Sequence, residues 1–185
     1  MPAAISIAQF NPLVWVNEYT KTDAPIDEAS FGPILHFALM WNLFERDACG
    51  KEANQINIEK SVQSAFAEGK LSLDAFQEHL NYFRIRAQSA DITIDHYLDA
   101  LKLTNTNARN LVRGVLVGTL RDPNNVVYAL LLIAHRIRNN LFHGEKEVAH
   151  LHSQVELFRT VNSMLATFLN QARSAASQGT HLSDR

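Results

Sequence analysis

An all-α bundle of five to seven helices is predicted for this chain, on three observations. Apolar residues recur at three- and four-residue steps through seven successive segments. Most of these segments open at Ser, Thr, Asn, Asp or Pro, and several close near a glycine. No alternating strand ladder and no internal repeat breaks the pattern.

At 185 residues the chain is long enough to bury a proper core without help from metal or disulfide. Apolar content of 46% and a formal net charge of −2 fit a soluble globular protein. Nothing in the global charge points to nucleic acid, so any polyanion site must be local. Cys49 is alone, which rules out a disulfide framework or a paired-Cys metal knuckle and fits a reducing, intracellular compartment. Gln9, Asn11 and Pro12 interrupt the N-terminal apolar run, which lacks a positive leader, so no signal peptide is expected. No stretch reaches the apolar length of a membrane span. The expectation is a cytoplasmic protein with no membrane partner.

Residues 1–30 are irregular in pattern. Leu13 to Val16 is β-prone, but Pro12 before it and the polar run TKTDAPIDEAS after it predict an extended arm. Residues 33–48 read as the first long helix, entered at Pro33 and apolar nearly all round, hence central. Periodicity continues through residues 55–68. A helix opening at Ser72 takes its apolar face from Phe76, Leu80, Phe83 and Ile85. Thr93 caps a short helix through Tyr97, Leu98 and Leu101, and Thr106 or Asn107 starts the next, running to Arg121. The last helix, about residues 147–172, carries near-heptad apolar steps that should pack antiparallel on the helix of residues 122–146 or on the first long helix. Residues 173–185 are small and polar and read as a mobile tail, leaving 31–172 as the helical domain.

The segment Asp122 to Lys146, DPNNVVYALLLIAHRIRNNLFHGEK, organises the rest. Asp122 is a potential N-cap, Pro123 stands at the first helical position, and Gly144 is a plausible stop. Val126, Val127, Leu130, Leu131, Ile133, Ala134, Ile137 and Leu141 form an apolar stripe. With Ile137 at its centre, Arg138 lies about 100° to one side and His143 about 240° round, with His135, Phe142 and Asn139 between them. That face carries groups that bind phosphate and move protons. An ordinary exposed face could also carry them, and His143 near a helix C-terminus could simply complement the macrodipole. Around it, residues 109–146 carry Arg109, Arg113, Arg121, Arg136, Arg138 and Lys146 against Asp122 and Glu145, a local basic segment.

The string Arg138-Asn139-Asn140-Leu141-Phe142-His143 resembles the R-x4-6-H motif of the HEPN superfamily, including the polar residue directly after the Arg. The run RNNLFHGEK is especially similar to bacterial HEPN proteins of the Apea-like and related groups. The string WNLFE, Trp41 to Glu45, resembles the first conserved helix of many HEPN proteins, where an acidic residue can sit near the catalytic motif. A surface carboxylate at a helix end is the alternative for Glu45.

The resemblance implies a HEPN-like bundle and a metal-independent endoribonuclease that needs no cofactor. In such an enzyme the RNA 2′-hydroxyl attacks, leaving a 2′,3′-cyclic phosphate. Arg138 and His143 would be catalytic, with Asn139, Glu45 and His135 in support and Arg136, Lys146 and Arg121 holding RNA. It also implies a homodimer with a composite site, in a bacterial defence, stress or toxin–antitoxin setting with an antitoxin or defence-system partner. A non-catalytic HEPN-like dimerisation or RNA-binding module of a larger assembly is the alternative, and a structural bundle with an accidental motif is a third.

Other constellations weigh less. His143, His150 and His152 invite metal, but residues two apart on a helix point nearly opposite ways, so no metal site is expected. No Gly-rich phosphate loop or nucleophile elbow appears. Asp91, Asp95 and Asp99 step by four, the pattern of an acidic surface stripe.

Overall fold

The computed structural model describes residues 10–21, 25–89, 93–142 and 154–173. Among the described residues are eight α-helices, one 3₁₀ turn and no strand. The fold is all-α, with one helix more than the upper expectation.

The additional helix is α1 (Pro12–Thr20), where an extended arm was expected. Its β-prone core is overridden by its start. The Asn11 side chain accepts from the amides of Leu13 and Val14 at 3.0 and 3.1 Å, and Pro12 occupies the first position. One turn apart, Trp15 and Tyr19 then stack with ring centroids at 4.9 Å. The Asn17 amide fastens the helix by a two-way bond to the backbone of the buried Ile26.

Helix α2 (Glu28–Ala48) begins before Pro33, because Asp27 caps it by accepting from Ser30 N at 2.8 Å. Pro33 therefore sits in the second turn and forfeits one backbone bond, to the carbonyl of Ala29. Ile34, Phe37, Trp41 and Phe44 form the buried face. Leu39 on the other side is 66% exposed, so α2 is a flank and not the centre.

Helices α3 (Gln55–Ala67), α4 (Gln77–Ala87, after the 3₁₀ turn Leu73–Phe76) and α5 (Ile94–Ala100) follow, with Asn54 and Thr93 capping α3 and α5. On α4 the expected face is corrected at Ile85. About 180° round from Phe76 at 100° per residue, it is solvent-exposed, and Ala87 completes the buried row of Phe76, Leu80 and Phe83. Helix α6 (Thr106–Val117) is capped by Asn105, one residue earlier than expected, and stops before Leu120. Gly118 takes φ 82°, a left-handed conformation that ends the helix at almost no cost for glycine alone.

The centre is α7 (Pro123–Phe142). Val126, Val127 and every residue from Ala129 to Ala134 are buried. It packs on α3 and on α6, and the five-residue connection from α6 makes those two antiparallel.

Helix α8 (Val155–Arg173) packs chiefly on α2. Phe37 meets Phe158 at 5.5 Å between centroids, Phe44 meets Phe168 at 5.7 Å, and Asp47 bonds Arg173 at 2.5 Å. The numbers climb together, so the pair is parallel and not antiparallel as expected. Only short connections enforce antiparallel neighbours, and these two helices are separated by more than a hundred residues of chain. The stretch expected to open the last helix before residue 154 lies outside the described residues, as does the tail from 174 onward. Arg173 itself is the last residue of α8. No helix among the described residues is long and apolar enough to cross a membrane.

Candidate functional site

The site is built on the last turns of α7. At the other end of that helix, Asp122 accepts from Asn125 N at 3.1 Å, as the sequence predicts for an N-cap. The helix then carries the chain from Pro123 through the core to the Arg138 segment.

There the side chains make a short hydrogen-bonded chain. The Arg138 guanidinium donates to the Asn139 side-chain oxygen at 3.2 Å. The Asn139 amide nitrogen lies 3.3 Å from His135 Nε2. Because the amide oxygen faces the guanidinium, the NH₂ group faces the imidazole. His135 Nε2 is thereby assigned as acceptor, and the neutral ring carries its proton on Nδ1. Nδ1 is buried without a hydrogen-bond partner among the described residues.

His135 is not part of a solvated face. It stacks on Trp41 of α2, with centroids 5.9 Å apart and planes 25° from parallel. Burial, and then the charges of Arg136 and Arg138, push its pKa down to about 4. The imidazole is neutral at physiological pH and cannot serve there as a proton-donating acid. Its contribution is to orient Asn139, and through Asn139 the guanidinium.

Two other residues of the same turns serve a different end. Arg136 Nε donates to the Leu101 carbonyl at 2.9 Å, and Asn140, 5% exposed, donates to the Ala100 carbonyl at 3.0 Å. Together they cap the C-terminal carbonyls of α5, where a cation also complements the helix dipole. Arg136, expected to hold RNA, thus commits its Nε to a bond inside the fold. Arg84 and Gln88 of α4 do the same for α6, donating to Val115 and Leu116 carbonyls.

Arg121 belongs to the far end of α7. It donates to the Gly118 carbonyl at 2.9 Å, and at about 1.5 Å per residue it stands roughly 25 Å from Arg138. Glu45 accepts from Ala53 N at 3.2 Å and closes the turn between α2 and α3. It lies one turn beyond Trp41 on α2 and adds to the burial that pushes the Cys49 thiol up to about 12, so that cysteine is an inert core group. The basic segment is largely spoken for as well. Arg109 pairs with Asp95 and Asp99 at 3.0 and 2.7 Å, and Arg113 pairs with Asp95. The acidic stripe is therefore the counter-charge to α6, except for Asp91, which lies outside the described residues.

His143 and Lys146 also lie outside the described residues, as do His150 and His152. Among the described residues no cluster of three or more His, Cys, Asp or Glu could hold a metal. Sequence reasoning missed Trp41 as the partner of His135 and Asn140 as a cap. Each left a faint signal, an indole in the WNLFE string and a second amide directly after Asn139.

Arg138, Asn139 and His135 are thus brought together, whereas Arg136, Arg121 and Glu45 are engaged elsewhere. Such a chain can present an oriented guanidinium to an anion while keeping its amide and imidazole partners neutral. Comparison with protein-family models, with curated proteins and with solved structures finds no match for this chain.

Proposed function

We propose that this protein is a metal-independent endoribonuclease of the HEPN type, acting as a homodimer. The observation that carries the reading is the Arg138–Asn139–His135 chain on the last turns of α7, five residues before His143. RNA supplies its own nucleophile. The 2′-oxygen attacks the adjacent phosphorus, the bond from phosphorus to the 5′-oxygen breaks, and a 2′,3′-cyclic phosphate and a 5′-hydroxyl result. One imidazole accepts the 2′-hydroxyl proton and another delivers a proton to the leaving oxygen, work typically worth about 10²–10⁴-fold. With His135 too weakly basic to take up a proton near neutral pH and its Nε2 engaged by Asn139, the proton work falls to His143. Arg138, oriented by Asn139, counters the charge growing on the phosphorane.

A single His143 per chain supplies half of that chemistry, and a two-fold pairing of α7 ends would supply the rest. The setting that goes with this reading is bacterial defence, stress or toxin–antitoxin control, with a protein partner that restrains the nuclease.

The test is incubation of purified wild type and His143→Ala with defined single-stranded RNA in EDTA. Wild type should give cyclic-phosphate ends and the variant none. A need for divalent metal, or cleavage at a 2′-deoxyribose, overturns the mechanism. A strict monomer at micromolar concentration by light scattering overturns the composite site.

A second reading, a non-catalytic module of a larger assembly, is favoured by the exposed aromatic row Phe10, Trp15 and Tyr19 at α1. RNA bound but never cleaved by wild type would select it.

A further inference from the structure

A cavity of about 670 Å³ opens between α4, α5, α7 and the start of α8. Its size falls in the range of small-molecule sites. The floor is apolar and built from deep core residues, Tyr97, Leu101, Ile137 and Leu157, each at most 7% exposed. Ile85, 74% exposed, also lines the cavity.

The lining also carries polar groups and one guanidinium. Arg86 lines it, close enough to Tyr82 and Tyr97 for its charge to be felt at both phenols. A phenol is uncharged near neutral pH, so neither of these neighbours neutralises the guanidinium. Glu156, a carboxylate felt at Tyr82, is paired with Arg159 at 2.6 Å. Ser89 and His96 line the cavity too.

We propose that this cavity binds a small organic anion with an apolar body, its acidic group on Arg86 and its body against Tyr97, Ile137 and Leu157. An apolar pocket with one convergent cation selects such amphipathic anions over both neutral hydrocarbons and small inorganic ions. The cavity is separate from the Arg138 chain. It meets α7 at Ile137 and Asn140, and Arg138 and Asn139 point away from that side by roughly 100° or more at 100° per residue. The inference therefore stands independently of the nuclease reading.

The experiment uses two fluorescent probes that share one body, anilinonaphthalene sulfonate and the neutral anilinonaphthalene, titrated against the full chain. Wild type should bind the sulfonate saturably at one site, at least about tenfold more tightly than the neutral probe, as a charged hydrogen bond implies. Arg86→Gln should lower sulfonate affinity to that of the neutral probe, and Arg86→Lys should keep most of it. Ala100→Phe and Ser89→Phe, at exposed positions lining the cavity, should each abolish binding of both probes. Circular dichroism melts establish that the variants are folded. Equal affinities for the two probes in wild type overturn the proposal without any variant, as does the lack of a saturable site. Unchanged sulfonate binding in folded Arg86→Gln, or in both folded phenylalanine variants, overturns it as well.

Discussion

The imidazole of His135 lies on the indole of Trp41, its rings 25° from parallel and its Nδ1 sealed from water. A histidine so placed resists protonation, and that resistance is a statement about stability.

The unfolded chain binds a proton at His135 near pH 6.5, the folded chain only near pH 4. Folding stability from this group is therefore intact above pH 6.5 and is lost as pH falls towards 4, by at most about 3 kcal/mol. His79, also pushed down by burial, adds to the loss with the same sign. Denaturant melts of wild type and His135→Phe between pH 7 and pH 4 should show a shallower decline for the variant. Parallel declines would mean that His135 is solvated.

If the protein is the proposed ribonuclease, Arg138→Ala and Arg138→Lys should both reduce RNA cleavage by about a hundredfold or more, since an ammonium cannot reproduce a two-pronged grip. Asn139→Ala should lose less, about tenfold, because it removes only the orienting amide. Single-turnover rates with unchanged far-UV spectra provide the check. Arg138→Lys at wild-type rate would exclude the guanidinium from the chemistry.

Arg136→Ala should destabilise the fold by about 1–3 kcal/mol, the cost of leaving α5 carbonyls without their charged donor. Asn140→Ala should do the same on a smaller scale. The exposed Arg121→Ala should stay within about 0.5 kcal/mol. Urea melts rank the three, and a reversed order would return Arg136 to the surface.

Gly114 lies in α6 where an added Cβ would stand 2.7 Å from Leu120 Cδ1. Its carbonyl also receives the amides of Thr119 and Leu120, which holds that leucine in place. Gly114→Ala should therefore destabilise by about 1–3 kcal/mol despite the better helix propensity of alanine. Adding Leu120→Ala should recover part of the loss, a non-additivity that a double-mutant cycle reads directly.

Much of this architecture was legible in the residues. The core stripe and N-cap of the α7 segment, the caps at Thr93 and near Thr106, and the all-α class follow from periodicity and side-chain chemistry that act locally. What stayed hidden depends on which surfaces meet. Nothing in the order HRIRNN distinguishes an imidazole facing water from one lying against Trp41, or an Arg kept for a ligand from one capping α5. Asp95 and Asp99 read as a stripe until α6 brings Arg109 and Arg113 across from them. At α1 the failure was local, β propensity being outweighed by a good Asn-Pro start.

The distance in sequence between α2 and its partner α8 has a consequence for the order in which the chain is made. Phe37 and Phe44 leave the ribosome more than a hundred residues ahead of Phe158 and Phe168, the rings that cover them. Throughout that interval the nascent protein carries an uncovered aromatic seam, and α2 cannot settle until synthesis has passed residue 168. A premature stop anywhere before α8 would release a product with that seam open, a natural target for chaperone holdases and for proteolysis.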